Sequence, residues 1–475
     1  MRSDHLTAGN KGIAVGPSSI ESGGDTEHGR RTPRTVEDTE PSVKDEHRDD
    51  AINAARRALV ARIEGDRDRL VEFFRAFARI DTSNPPGDTR AGAALLLEFL
   101  DAAGLPYRIV APREAMPNIL ATTRFVRPGR HLLLNGHIDV FPVGDRSRWT
   151  RDPLSGDLVD GRVHGRGTVD MKCGTTASLF TYAYLSPLAE VLEGRLTLTA
   201  VSDEETGGRW GTGYLIEHHA DDVLADCVLN GEPSSLATVR FGEKAVLWMT
   251  FTVETAGGHS AYPHTSKSAN KIATALVHDL ESLESIVAAA PEAVRRALGR
   301  SEAREAIERG LGPGAADVVQ NVTVNIGVIR GGVKVNMLPA ECVIEVDARL
   351  PVGVDRDDVR RAVDRLVARY PEVRWREGPS QPPNATWCDP EHEMVGLIQD
   401  NVEALLGFRP PAIISLGGTD CRFWRAAGVP AYVYGCSPAG MGAPDESVAV
   451  DEFLHVVRVH ALSAFDYLSR SEPPR

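Results

Sequence analysis

Carboxylates and one histidine follow the ends of several short apolar runs, and this pattern constrains the fold of the chain more than any other feature. The runs HLLLNG, TLTAV and VLNG are followed by His137, Asp139, Asp203, Glu204, Glu205 and Glu232. In an open α/β sheet, ligands bind beyond the carboxyl ends of the strands. We therefore predict that these side chains meet at one edge of a buried sheet.

The order of the predicted elements indicates two kinds of domain. From about residue 115 to residue 240, short apolar runs alternate with helical stretches, as in an α/β domain with a largely parallel sheet. Near residue 243 the order becomes strand, helix, two strands, helix and short strand, which is the split β-α-β order of a ferredoxin-like domain. The predicted fold class is therefore α/β: a main domain with a largely parallel mixed sheet flanked by helices, plus an inserted ferredoxin-like α+β lid domain.

Composition sets the expected domain boundaries. Residues 1–50 contain no Phe, Trp or Tyr, so they cannot bury enough surface to offset the entropy cost of ordering, and we expect a disordered tail. The main domain is expected over residues 51–242 and 380–475, and the lid over residues 243–379. Within the lid, residues 300–318 form a polar helix and a glycine-rich loop that the pattern does not place.

Charge and cysteine usage exclude some classes of partner. The formal net charge of −14 argues against nucleic acid and anionic membranes, because either partner needs a basic face. No apolar run approaches the length of about 18 residues that spans a bilayer, and the N-terminus has no signal-peptide pattern. The 6 cysteines show no C-x-x-C pairing and no disulfide framework. We expect a cytoplasmic protein with a small-molecule substrate.

The polar groups at the predicted sheet edge are those that bind a divalent metal ion. One imidazole with several carboxylates suits zinc or a similar ion, and burying these carboxylates together without a cation would be very costly. In the H-x-D pair, the Asp139 carboxylate is predicted to accept the free ring N–H of His137 and so to fix the ligating tautomer. The glycines of GRGTVDMKCG are expected to let a loop pack tightly around Asp170.

Together with GRGTVDMKCG and NGEPSS, these stretches resemble a family of zinc-dependent deacylases and exopeptidases. That family includes acetylornithine deacetylase, succinyl-diaminopimelate desuccinylase, aminoacylase and bacterial glutamate carboxypeptidases. The resemblance covers residues 60 to 470 and implies a catalytic α/β domain that holds two metal ions, with a lid that often mediates dimerisation. It therefore implies Zn²⁺, or Co²⁺ or Mn²⁺, as the cofactor, and a homodimer formed through the lid.

The resemblance also implies a role for each matching residue in the catalytic domain. It makes His137 and Glu232 ligands of the first metal, Asp170 the bridging carboxylate and Glu205 a ligand of the second metal. Glu204 is implied as the general base and Asp139 as the partner that orients His137.

In the lid and the last part of the chain, the resemblance implies groups that bind substrate. His259 in GGHSAYPH is implied to stabilise the oxyanion, often in the active site of the partner subunit. Asn336 and Arg349 are implied to hold the carboxylate of the substrate, and Gly418 and Thr419 of SLGGTD to line the site.

One position departs from the family pattern. Where the family has a histidine ligand of the second metal, a few residues before a Glu, the segment CSPAGMGAPDESV has Gly442. The number of ions per chain, one or two, therefore stays open. The residues that could replace the histidine are Cys436, Asp445, Glu446 and His455.

The function that these residues indicate is hydrolysis of an amide bond in an N-acyl amino acid or a short peptide with a free carboxylate. A dipeptidase or carboxypeptidase of the same family is an alternative, as is a non-catalytic relative with an impaired metal site. A serine hydrolase is a further alternative, because Ser437 is followed by Asp445 and then by His455 or His460 in nucleophile, acid, histidine order. It leaves the carboxylates unexplained.

Overall fold

The structure is a computed structural model that describes residues 43–378, 382 and 384–470. Most of the predicted tail, residues 1–42, lies outside the described residues. Residues 43–50 belong to the first helix, so helical structure begins earlier than expected. Arg48 supplies a physical reason, because its guanidinium donates to Glu193 Oε1 at 2.6 Å and to the Ser469 carbonyl at 3.2 Å.

Helices flank the sheets throughout the described chain. They are α1 (Val43–Gly65), α2 (Arg67–Ala78), α3 (Arg90–Ala102), α4 (Cys173–Leu185), α5 (Thr212–His218), α6 (Ala220–Val223), α7 (Ala269–Leu280), α8 (Glu292–Leu298), α9 (Ser301–Leu311), α10 (Ala315–Val318), α11 (Arg356–Val367), α12 (Glu393–Leu406), α13 (Cys421–Ala426) and α14 (Val450–Leu468). None of these helices combines the length and the apolar character needed to cross a membrane.

The strands fall into a large sheet, a lid sheet and two small sheets. They are β1 (Tyr107–Val110), β2 (Asn118–Arg124), β3 (Arg127–His137), β4 (Leu158–Val159), β5 (Arg162–His164), β6 (Glu193–Val201), β7 (Cys227–Asn230), β8 (Val239–Glu243), β9 (Ala245–Glu254), β10 (Gly258–His259), β11 (Thr323–Gly331), β12 (Met337–Leu338), β13 (Glu341–Leu350), β14 (Val373–Glu377), β15 (Thr386–Trp387), β16 (Ala412–Ser415), β17 (Ala431–Val433) and β18 (Ser447–Ala449).

The large sheet is mixed, with parallel pairing at its centre. Its order is β1-β2-β6-β3-β7-β17-β8-β15, and β16 pairs with β8. Strand β3 runs parallel to β6 and β7, and the register places His137 beside Val201 and Asn135 beside Asn230. The carboxyl ends of these three strands therefore lie at one edge of the sheet, as the sequence predicts.

The core on one face of this sheet is built around α4. Every residue of α4 is buried, with the hydroxyls of Thr175, Thr176 and Ser178 bonded to backbone carbonyls, and α4 packs against α14 and β3. Helix α2 buries Leu70, Phe74 and Phe77, which recur at helical spacing, and a break at Asp66 separates it from α1.

The lid sheet has the ferredoxin-like order. Strands β9, β11, β13 and β14 pair antiparallel in the spatial order β11-β13-β9-β14, so the last strand lies beside the first. Along β9 the buried side chains are alternate residues, among them Leu247, Met249 and Phe251, because successive residues point to opposite faces. The predicted combination of an α/β fold and a ferredoxin-like lid is confirmed.

Helix α8 and helix α9, which begins the segment of residues 300–318 that the sequence pattern does not place, pack away from the lid core. Val294, Leu298 and Ile307 belong to the same buried cluster as the large sheet, and α8 and α9 contact β16. These helices lie inside the predicted lid range of residues 243–379, yet they contribute to the core of the main domain.

Candidate metal centre

His137 is the last residue of β3 and is fully buried. Its ring Nδ1 lies 2.8 Å from the backbone carbonyl oxygen of Asp139 and 3.6 Å from the Asp139 carboxylate oxygen Oδ1. Since a carbonyl oxygen only accepts, Nδ1 carries a proton, and Nε2 is the ring nitrogen that faces the carboxylates and could bind a metal ion. The tautomer is therefore fixed by the carbonyl of Asp139, and not by its carboxylate as the sequence predicts.

The carboxylate of Asp139 has a different set of partners. It accepts the side-chain amide of Asn84 at 2.9 Å and the backbone N–H groups of Glu204 and Glu205 at 3.3 and 3.1 Å. Burial raises the pKa of Asp139 to about 6. Asp139 thus holds the turn after β6 that carries both glutamates beside the end of β3.

His137, Asp170 and Glu232 converge as the sequence predicts. One ligand atom from each residue lies within 4.8 Å of the other two. Nε2 of His137 is 3.0 Å from Asp170 Oδ1 and 3.3 Å from Glu232 Oε1. These distances suit three groups that share one coordination shell.

Two glycines allow the loops that carry Asp170 and Glu232 to meet. A Cβ atom added to Gly174 would lie 2.0 Å from the carbonyl oxygen of Gly231, which is closer than any real contact. Gly167 has a φ of +82°, and a Cβ there would lie 2.1 Å from the Val140 side chain. The glycines of GRGTVDMKCG therefore have the close-packing role that the sequence predicts.

The electrostatics of the cluster favour a bound cation. Burial raises the pKa of Glu232 well above its ordinary value, and the charge on Asp170 adds to this effect. Burial lowers the pKa of His137, but the carboxylates of Glu232 and Asp170 outweigh it and raise that pKa well above its ordinary value. Without a cation, the cluster therefore has a raised affinity for protons. The donor set of one imidazole and two carboxylates fits a divalent metal ion.

Glu204 and Glu205 lie in the turn after β6, next to this cluster. Glu205 Oε1 is buried without a hydrogen-bond partner, and burial, followed by the charge on Asp170, raises the pKa of Glu205 well above its ordinary value. Glu204 Oε1 accepts a hydrogen bond from Arg422 Nη1 at 2.6 Å. Among the described residues, Glu205 forms no three-residue group like that of His137.

Residues proposed to replace the missing histidine have other partners. The carbonyl of Gly442 accepts from Arg166 Nη2 at 2.9 Å, and the φ of Gly442 is +71°. Asp445 Oδ1 accepts from the Thr150 N–H at 2.8 Å, and His455 Nε2 lies 2.8 Å from the hydroxyl of Tyr434. Cys436 Sγ is 3.7 Å from the carbonyl of Val169.

Glu446 holds the loop that carries Asp170. Its carboxylate pairs with Arg166, and its Oε1 accepts the backbone N–H groups of Val169 and Asp170 at 2.8 and 3.3 Å. The side chains of Arg166 and Glu446 are only 3% and 1% exposed. Glu446 therefore acts on the centre through the backbone of Asp170, and not as a metal ligand in this structure.

The predicted substrate-binding residues of the lid do not contact the cluster within one chain. His259 and Met337 pair across β10 and β12, and both side chains are exposed. The carbonyl of Asn336 accepts from the Ser260 N–H at 3.1 Å, which places Asn336 beside His259. Arg349 donates from Nε and Nη2 to Asp347.

The glycine-rich loop has a rigid support at the end of β8. Glu243 Oε1 accepts the Thr419 N–H at 2.9 Å, and Glu243 Oε2 accepts the Thr419 hydroxyl at 2.7 Å. Gly418 lies beside Arg422, with 3.5 Å between a Cβ built on Gly418 and Arg422 Nη1. Thr419 thus fixes the loop through Glu243, while its role toward substrate stays a prediction.

Sequence reasoning missed several residues that position the centre. Asn84, Arg166, Glu243 and Arg422 are all buried or partly buried and contact the predicted site residues or their loops. A signal is present only for Arg422, which follows the SLGGTD motif by two residues.

Among the described residues, those of the serine-hydrolase alternative do not form the hydrogen bonds of a Ser-His-Asp triad. The Ser437 hydroxyl accepts from the Ala439 N–H at 3.4 Å, whereas Asp445 is bound to Thr150. His460 Nε2 lies 2.6 Å from the carbonyl of Tyr434, and burial lowers the pKa of His460 to about 4. Each of these candidates is therefore hydrogen-bonded to a residue outside the proposed triad.

Similarity to known proteins supports metal-dependent chemistry. Residues 133–465 match the model of Peptidase family M20/M25/M40. A succinyl-diaminopimelate desuccinylase from Cereibacter sphaeroides is 30% identical over 392 residues, covering 80% of this chain and 94% of that protein. Succinyl-diaminopimelate desuccinylase 2 from Ruegeria sp. is 28% identical over 407 residues, covering 82% of this chain and 92% of that protein. These matches confirm the resemblance that the motifs predict.

Solved structures share the fold. The M20 family metallo-carboxypeptidase Sso-CP2 from Sulfolobus solfataricus superimposes with a TM-score of 0.71 at 18% identity, over 84% of this chain and 98% of that chain. The dipeptidase Dug1p from Saccharomyces cerevisiae superimposes with a TM-score of 0.69 at 15% identity, over 88% of this chain and 99% of that chain.

Metal binding should release protons and strengthen as pH rises. Because the pKa values of His137, Glu205 and Glu232 are raised without metal, each group keeps its proton to a higher pH than usual, and a metal ion must displace such protons to bind. Titration calorimetry with Zn²⁺ in two buffers of different ionisation enthalpy should show net proton release. An affinity that stays constant between about pH 6 and 8, with no proton release, would contradict this.

Glu446→Gln should destabilise the protein by about 3–5 kcal/mol, because it leaves the Arg166 guanidinium buried without its charge partner. Denaturant unfolding of the metal-free protein measures the loss. The matched control is Asp451→Asn, which removes an exposed ion pair with Arg67 and should leave the unfolding midpoint unchanged. Equal midpoints for the two variants would show that the buried pair has no structural role.

Proposed function

The chain belongs to peptidase family M20/M25/M40, and from this premise we propose that it removes the acyl group of an N-acyl amino acid that has a free carboxylate. It is a metal-dependent hydrolase of amide bonds. The observation that carries the proposal is the convergence of His137, Asp170 and Glu232 within 4.8 Å. The names of the curated relatives favour a deacylase over a dipeptidase or carboxypeptidase.

Zn²⁺ is the ion that we propose for this cluster, with Co²⁺ or Mn²⁺ as alternatives. Zinc accepts imidazole and carboxylate ligands together and leaves an open position when three protein groups bind it. When bound there, the ion would supply Lewis-acid chemistry, which makes water acidic enough to attack near neutral pH. Glu205, whose buried Oε1 has no partner, supports a second, weaker ion, but the histidine expected for that ion is replaced by Gly442.

Glu204 is proposed as the general base. It lies in the turn held by Asp139, on the same sheet edge as His137, and its side chain is 11% exposed. From there its carboxylate would accept a proton from the attacking water and deliver it to the leaving nitrogen. His259 would donate a hydrogen bond to the oxyanion as it forms.

Substrate recognition is proposed to involve the lid. Arg349 carries a partly exposed guanidinium on β13, and its planar donors suit a carboxylate. Asn336 lies next to His259 on the lid, so both would approach the substrate together. The glycine-rich loop with Gly418 and Thr419 would line the opposite side of the site.

A homodimer through the lid is supported by the exposed surface of that domain. Ile329, Val333 and Val335 are 57%, 91% and 97% exposed on or beside β11, which is an edge strand of the lid sheet. An edge strand with apolar neighbours is a common place for a second chain to pair. Among the described residues, the partners of His259 do not include the candidate metal ligands of the same chain. A second copy of the chain would bring its own His259 to this site.

The 6 unpaired cysteines support a reducing, cytoplasmic location.

Glu204→Gln should keep its metal and lose turnover by about 100-fold or more, since the amide cannot accept a proton. Hydrolysis of a panel of N-acyl amino acids and dipeptides, together with metal content per chain, measures both effects. His137→Ala is the matched comparison, because it should lose metal as well as activity. A Glu204→Gln protein with undiminished turnover would refute the role of Glu204.

A mixing experiment tests whether His259 serves the partner subunit. Glu204→Gln and His259→Ala should each be inactive alone, whereas their random heterodimers contain one intact site, so that about a quarter of wild-type activity returns. Val335→Asp should abolish that recovery and give a monomer by light scattering. Val126→Asp, at an 81% exposed position of the main domain, is the control that should remain dimeric. Recovery in the absence of dimers, or dimers without recovery, would contradict the arrangement.

A further inference from the structure

Arg422 and Glu204 form an ion pair at the edge of the candidate centre. Arg422 is the second residue of α13, and its Nη1 donates to Glu204 Oε1 at 2.6 Å. The two side chains are only 14% and 11% exposed. A charged pair this far from solvent is poorly screened, so the guanidinium strongly restrains the position of the carboxylate.

The loop that carries Arg422 is fixed to the large sheet. Glu243, the last residue of β8, accepts from the backbone and hydroxyl of Thr419 and from Arg425 Nη1 at 2.9 Å. Arg422 and Arg425 lie on the same short helix, so the contacts of Glu243 fix the position of the Arg422 backbone independently of Glu204. The arginine is therefore a rigid support for the glutamate.

Arg422 also balances several acidic groups. Burial lowers its pKa, but the carboxylates of Glu204, Asp420 and Glu243 outweigh burial and raise that pKa above its ordinary value. The guanidinium therefore stays charged. Asp420 is fully buried and neither of its oxygens has a hydrogen-bond partner, and burial, together with the charge on Glu204, raises the pKa of Asp420 to about 8.

We propose that Arg422 is a positioning residue for the general base. By holding Glu204 Oε1, it fixes the rotamer of Glu204 so that Oε2 faces the attacking water and the leaving nitrogen. This inference rests on the proposed function, because Arg422 acts only through Glu204 as the general base. A general base contributes fully only when its geometry is held, so the cost of losing Arg422 falls on the chemical step.

The main variant is Arg422→Met, which keeps the length of the side chain and removes the charge. The expected result is a fall in kcat of about 100-fold with little change in KM, because Arg422 acts on the base and not on the bound substrate. Metal content and zinc affinity should equal those of the wild type, since the guanidinium of Arg422 donates to Glu204, which is the proposed base and not a proposed ligand. Arg409→Met, which removes a surface pair with Asp400, is the control that should leave kcat unchanged.

Two further measurements separate positioning from a merely structural role. In the Glu204→Gln background, Arg422→Met should cause no additional loss of kcat, because the group that it positions is already absent. In Arg422→Ala, guanidinium ions at concentrations too low to unfold the protein should restore part of kcat, whereas sodium ions should not. Arg422→Lys should be intermediate, since an ammonium group keeps the charge but not the planar donor geometry.

Several outcomes would overturn the inference. A raised KM with unchanged kcat would make Arg422 a substrate-binding residue, and a full additional loss in the Glu204→Gln background would show independent action. Loss of metal and a lower unfolding temperature in both Arg422→Met and Arg422→Lys, without rescue, would make Arg422 structural. If wild-type turnover is absent or Glu204→Gln remains active, the proposed function itself fails, which these assays distinguish from a failure that concerns Arg422 alone.

Discussion

Mutual repulsion among buried carboxylates is the constraint on which the rest of the structure depends. Asp170 and Glu232 meet beside His137 at a sheet edge where water is largely excluded, and Glu205 lies close by with an oxygen that has no partner. Such an arrangement is costly unless protons or a cation neutralise it. Metal binding and folding are therefore linked, because the site that attracts the ion is the site that the ion stabilises.

The elements that carry these groups are themselves held by charged residues from distant parts of the chain. Asp139 binds the N–H groups of the turn with Glu204, Glu446 binds those of the loop with Asp170, and Glu243 binds the glycine-rich loop. In each case a buried carboxylate accepts backbone donors, which fixes a loop without a covalent link. Positions in such loops can then be as precise as positions on strands.

Much of the fold was predictable because it depends on short-range patterns. The ferredoxin-like lid follows from the order of its strands and helices and from the alternation of buried residues along β9. The polar residues at the ends of the apolar runs predict that their side chains meet at one edge of the sheet. Other features depend on partners that no local pattern reveals. Ile307 joins the core of the large sheet although its segment lies within the lid sequence, and Arg48 extends the first helix by reaching Glu193. The sequence does not decide which oxygen of Asp139 lies closest to His137 Nδ1, because H-x-D offers both a carboxylate and a carbonyl, and the folded backbone brings the carbonyl to 2.8 Å and the carboxylate to 3.6 Å.

The sequence alone determined the chemical type of the centre, because one histidine and several carboxylates at strand ends have few uses other than binding a divalent ion. It also determined the family and the combination of a mixed main sheet with a ferredoxin-like lid. Only the tertiary structure decided that Arg422 meets Glu204 and that Glu446 supports Asp170, since these pairs join residues more than two hundred positions apart. The reason is physical: periodicity records which face of an element is buried, whereas the partner of a charged side chain is set by how whole elements pack.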